Sequence, residues 1–134
     1  MNMNSIVKVN AENPVFCTMS VETRADKVAL YNAVQTPTAK VSDFINKEIK
    51  FVNVHMEQCT FIDEDTGEVT DGIKTVLITP EGNGILAHSN GIAKSVMAIL
   101  SMFGMPDEWE GEPMTVIVRQ LETKNGRYFQ LEVK

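Results

Sequence analysis

The sequence predicts a mostly β domain, a five-stranded barrel with one main helix and an N-terminal β extension, and three features predict it. After residue 47 most of the chain alternates apolar and polar residues at period two between turn residues. One strongly periodic helix interrupts that alternation between the third and fourth strands. The chain then closes on Asn125-Gly126 between two more strands, the strongest short-range hairpin signal. Five strands with a helix between the third and fourth is the order of the oligonucleotide/oligosaccharide-binding barrel, the OB-fold. An open sandwich is the alternative.

The 134 residues fit one domain, large enough to bury a real core. Residues 1–13 read as a loose polar arm. Residues 14–47 read as two strands, "PVFCTMSVE" and "DKVALYNAVQ", followed by a turn and a short helical segment in "TPTAKVSDFINKE". The barrel core is residues 48–134. It opens on a long strand, "EIKFVNVHMEQCTFI", where Val52, Val54 and Met56 share one face and Cys59 and Phe61 the other, so a bulge is expected near Glu57 and Gln58. "GIKTVLITP" and "GILAHS" follow, joined across Glu81-Gly82-Asn83-Gly84. In the helix, Ile92, Val96, Ile99, Leu100 and Phe103 form one apolar stripe, Ser89 or Asn90 caps its start, and Gly104 and Pro106 end it. "MTVIVRQLE" and "RYFQLEVK" make the last hairpin.

Composition is ordinary for a globular protein, with 43% apolar and 22% charged residues, and no run is long enough to span a bilayer. Neither a signal peptide nor a cleavage site is visible at the start, so a cytosolic location is expected. Cys17 and Cys59 lack a metal-ligand neighbour and read as buried free thiols. The formal net charge of −6 is uneven: residues 57–72 hold six acids and residues 105–112 four, with no base in either stretch. Setting those ten aside turns −6 into +4. A basic face beside acidic loops is therefore compatible with phosphate binding, which depends on the local field.

No catalytic constellation is present, so a non-enzymatic role is expected, without cofactor. "DEDTGEVTDGIK" is a poor calcium loop, because its twelfth position is Lys74 and its glycine stands one place early. The closing hairpin is more informative. Alternation sends Phe129, Leu131 and Val133 inward and Tyr128, Gln130, Glu132 and Lys134 outward. An exposed Tyr128 near Arg119, Lys124 and Arg127 joins a flat ring to cations, which is what unpaired bases and their phosphates need. Lys50, Phe51, His55 and Lys74 on the central strands, and Tyr31 before them, are candidates to continue the track, with Phe51 and Tyr31 equally readable as core. Trp109, among acids, reads as a seal on the barrel end. The acidic first hairpin loop, Asp63 to Gly72, repels phosphate.

From Ser5 to Lys134 the chain resembles a known family in "SIVK", in "KVALYNAVQ" with its Tyr31-Asn32-Ala33, in "TVLITPEGNGILAHS", in "IAKSVMAILSMFG" and in "VIVRQLETKNGRYFQLEV". The family is the small single-stranded-DNA-binding proteins of tailed phages with protein-primed replication in Gram-positive bacteria, with related proteins on mobile elements, conjugative ones included. The resemblance implies an OB-fold that coats and protects single-stranded DNA in the bacterial host cytoplasm without sequence preference, and removes hairpins ahead of a polymerase. It also implies stacking tyrosines, which fall on Tyr31 and Tyr128. The acidic stretches depart from the family pattern. They offer an alternative role, recruitment of a replication or transfer protein, while the N-terminal arm and open strand edges are candidates for self-assembly.

Overall fold

The structure, a computed structural model, describes residues 6–10, 13–62, 65–124 and 126–134. In chain order it runs β1 (Ile6–Asn10), β2 (Asn13–Cys17), α1 (Arg24–Gln35), β3 (Ala39–Lys40), a 3-10 turn (Val41–Phe44), β4 (Glu48–Phe51), β5 (Asn53–Ile62), β6 (Val69–Ile78), β7 (Gly84–Ala87), α2 (Asn90–Phe103), a second 3-10 turn (Pro106–Glu108), β8 (Met114–Thr123) and β9 (Gly126–Val133). Within the expected loose arm, Ile6–Asn10 is instead a strand paired antiparallel with β2. Residues 1–5 and 11–12 lie outside the described residues.

The long strand bends, at Val52 and not at the expected Glu57 and Gln58. Up to Phe51 the chain pairs with β8, from Glu48↔Ile117 to Phe51↔Met114; from Asn53 it pairs with β6 in unbroken register as far as Ile62↔Val69. Val52 donates its N–H to the Ile78 carbonyl at 2.8 Å, fixing the corner. The core-facing residues change parity there: Ile49 and Phe51 point inward before the bend, Val54 and Met56 after it. That is the phase change the sequence carries, displaced by a few residues because only the partner strands decide whether Phe51 or Val52 faces the core.

The bend divides the strands between a six-stranded sheet, ordered β1-β2-β5-β6-β7-β3, and a three-stranded sheet, ordered β4-β8-β9. The expected closed barrel is thus corrected: the fold is mostly β and keeps the predicted core order, but no ladder among the described residues joins β7 to β9. The inner faces of both sheets and α2 enclose one core, in which Phe51, Val54, Leu77, Ile92, Val96, Val116 and Val118 are fully buried. Each such side chain contributes about 1.5–3 kcal/mol relative to exposure. Val133, expected in this core, sits at the end of edge strand β9 and is exposed.

A second helix corrects the reading of "DKVALYNAVQ" as a strand. Thr23 accepts from the Asp26 N–H, and the Asp26 carboxylate accepts from the Thr23 N–H, a reciprocal cap that nucleates α1. Leu30, Ala33 and Val34 then make a short apolar stripe; Ala33 and Leu30 pack with Val76, Ile78 and Leu86 on the outer face of the six-stranded sheet. A Cβ at Gly84 would meet the Ala33 carbonyl oxygen at 2.1 Å, so this approach requires glycine.

Helix α2 forms as its sequence predicts, except that Phe103, expected in its apolar stripe, stands at the last turn and is exposed. Ser89 Oγ accepts from the Gly91 and Ile92 N–H groups, and Gly104 closes the helix at φ 83°. The helix also guards the free edge of β9. Ser95 Oγ accepts the Leu131 N–H at 3.0 Å, and Gly91 lies so close that a Cβ there would meet the Phe129 carbonyl oxygen at 2.1 Å. Such an edge would otherwise pair with another chain. Trp109 seals the far end as expected, edge-on to Phe51 at 5.9 Å, with its indole N–H donating to the Gly104 carbonyl at 3.0 Å.

Candidate nucleic-acid interface

Strand alternation puts Tyr128, Gln130 and Glu132 of β9 on the outer wall of the three-stranded sheet. Register pairs them there with Leu121, Arg119 and Ile117 of β8. Tyr128 is 40% exposed and Leu121 36%, so ring and side chain form an accessible apolar step at the hairpin end. Arg119 lies on the same wall, its Nε donating to Glu132 at 2.7 Å and its Nη1 to Asn46 Oδ1 at 3.0 Å. Those two contacts fix the plane of the guanidinium. Further along, Lys50 stands opposite Thr115 on this wall, six residues of β8 from the Tyr128 partner Leu121, or about 20 Å at strand rise.

The wall carries carboxylates as well as cations. Glu132 engages Arg119, and Lys134 hydrogen-bonds Glu48, which holds the Glu48 carboxyl below its usual range. Among the described residues neither Lys50 nor Lys124 comes within ion-pair distance of a carboxylate, so these two offer the least committed charge. Arg127 lies on the opposite face from Tyr128, across from Glu122 at 3.5 Å, with both side chains well exposed. So exposed a pair holds its partners weakly, and a phosphate can compete for the arginine.

Four other candidates do not join this wall. Phe51 is fully buried and is corrected to a core residue. His55 is corrected too: it is 8% exposed on the outer face of β5, its Nε2 3.3 Å from Glu57 Oε1, so it offers no accessible contact to phosphate. Lys74, its neighbour on β6, reaches the same Glu57 at 3.9 Å. Tyr31 is 66% exposed, as a stacking residue needs, but on α1 rather than on a strand.

Burial pushes the His55 imidazole below its ordinary 6.5, more than the nearby Glu57 carboxylate raises it. A base with a depressed folded pKa binds its proton more readily once unfolded. Its neutral form therefore supports the fold above the unfolded pKa, and that support is lost as pH falls below about 6.5. Urea titrations from pH 7 to 5 are expected to show falling stability, with a smaller slope in His55→Asn; equal slopes would refute the assignment.

Sequence reasoning missed a cleft between β9 and the end of β7, whose edge β3 covers at Ile85 and Leu86. About 500 Å³ in volume, it is lined by Lys40, Ser42, Leu86, His88, Ile92 and Phe129 among others. No local signal marks it, because its polar groups come from separate segments. A larger groove, about 760 Å³, runs between α2 and the β5–β6 hairpin, with Met56, Ile73, Ala93 and Met97 among its lining and Lys94 beside them.

The family model described as phage single-stranded DNA-binding protein, phi29 type, matches residues 9–133. The chain belongs to that family. No match was found among curated proteins or among solved structures. On the outer wall, Tyr128 and Leu121 place apolar faces, and Arg119 and Lys50 place cations, on one sheet. No described helix is long and apolar enough to cross a membrane.

Proposed function

We propose that this chain coats single-stranded DNA without sequence preference during phage or mobile-element replication, in the cytoplasm of a bacterial host, as a non-enzymatic binding protein. Its fold is read as an OB-fold left open between β7 and β9, one domain throughout. The observation that carries the proposal is the exposed Tyr128 ring beside Leu121 and Arg119, at the head of a hairpin whose tip bears Lys124 and Arg127, in a family of single-stranded-DNA-binding proteins. A ring accepts any base face, and a lysine accepts any phosphate. Sequence preference is therefore weak by construction.

Fluorescence polarisation with one labelled oligonucleotide, single-stranded and then annealed, tests it across a salt series. The single strand is expected to bind more tightly than the duplex, with affinity falling as salt rises by a slope of about 0.7 per phosphate engaged. Equal affinity for the two forms, or salt-independent binding, refutes coating by stacking and phosphate contacts.

A second reading has an observation of its own. Met102 is 81% and Phe103 45% exposed at the end of α2, beside the acidic Asp107, Glu108, Glu110 and Glu112. An apolar spot near carboxylates suits a basic protein partner from replication or transfer. Under that reading the loss of Asp107 and Glu110 abolishes function while DNA affinity stays intact.

A further inference from the structure

Helix α1 occupies ground that an OB-fold commonly gives to its ligand. The outer faces of the second and third core strands, here β6 and β7, are the usual oligonucleotide platform. In this chain α1 lies on that face, with Ala33 and Val34 buried beneath it and the Ala33 carbonyl against Gly84. A helix held by a reciprocal cap and a backbone-to-backbone approach is part of the fold, not a lid. A strand leaving the Tyr128 wall must therefore find its next contacts elsewhere.

We propose that the cleft between β7 and β9 is a nucleotide subsite for single-stranded DNA, in which a base lies on Phe129 while Lys40 takes a phosphate and His88 and Ser42 give hydrogen bonds. This rests on the DNA-binding reading above and extends it to residues that the outer wall does not contain. Three observations support it. Phe129 follows Tyr128 directly and faces the other side of β9, so the two rings stand on either side of one strand edge. Gly91 abuts that edge so closely that a Cβ would meet the Phe129 carbonyl oxygen, which makes the start of α2, through Ser89 and Ile92, a wall of the cleft beside the ring. Among the described residues no carboxylate lines the cleft. Asp43, the nearest acid in sequence to Lys40, turns its Oδ2 to the Lys40 backbone N–H at 3.1 Å, and the Lys40 ammonium has no ion-pair partner among the described residues.

The local field has the required sign. The His88 imidazole is held below 6.5 first by partial burial and then by Lys74 and Lys40, so two cations are felt at the cleft mouth. Its volume, about 500 Å³, lies within the range of about 300–1,000 Å³ typical of small-ligand sites.

Three variants of the full chain test the subsite: Lys40→Ala, Phe129→Leu and, as a control away from the cleft, Lys94→Ala. Each is titrated with a short fluorescein-labelled oligothymidylate over a salt series. Lys40→Ala is expected to flatten the salt slope by about 0.7, one phosphate contact, with Lys94→Ala unchanged. Phe129→Leu is expected to lower affinity by about tenfold at every salt concentration. Should Phe129→Leu melt early, Lys40→Ala decides alone. An unchanged slope in Lys40→Ala, or equal flattening in Lys94→Ala, overturns the subsite while tight wild-type binding preserves the broader reading. Absence of wild-type binding overturns both.

Discussion

The double variant Tyr128→Ala/Arg127→Ala is expected to lose single-strand affinity heavily while keeping its melting temperature. One stacked base is worth about 1–3 kcal/mol, which corresponds to roughly fivefold to more than a hundredfold in affinity. The arginine should in addition remove about 0.7 from the salt slope. Stability is spared because Tyr128 is 40% exposed and the Arg127–Glu122 pair stands in solvent. Calorimetry and polarisation on the same preparation give both numbers. If the variant is folded and binds undiminished, the outer wall of the three-stranded sheet is not where DNA lies.

Phe51→Ala is expected to have the opposite signature, a large loss of stability with little direct effect on binding. Phe51 is fully buried at the last position before the chain turns from one sheet to the other, and its ring meets Trp109 edge-on. Emptying such a site costs about 3–5 kcal/mol, a large share of the roughly 5–15 kcal/mol that holds a domain folded. Urea denaturation followed by the fluorescence of Trp109, the one tryptophan of the chain, measures it. Unchanged stability together with weakened DNA binding would restore Phe51 as a stacking residue.

What could be read in the sequence depended on how local its cause was. Helix α2 announces itself because the cap at Ser89, the apolar stripe and the stop at Gly104 lie within one stretch. The last hairpin does so through Asn125-Gly126, and the exposure of Tyr128 follows from parity alone. Helix α1 was legible in principle through the Thr23/Asp26 pair, but Val28 and Leu30 alternate like a strand, and its buried stripe is only Leu30, Ala33 and Val34. Whether Phe51 or Val52 faces inward depends on β8 and β6, which are distant in sequence. The same limit hid the β7–β9 cleft, since Lys40, His88 and Phe129 meet only after three elements are in place. Even the wall that was foreseen came out more mixed, because cross-strand register sets Glu132 against Arg119.

The corner at Val52 also fixes an order of events during synthesis. β5 can zip onto β6 as soon as their hairpin has emerged, whereas β4, immediately before it, must wait for β8. Long-range pairing of this kind is slow. A nascent chain halted before Met114 would carry Ile49 and Phe51 uncovered and α2 with no strand edge to guard, a species that invites chaperones.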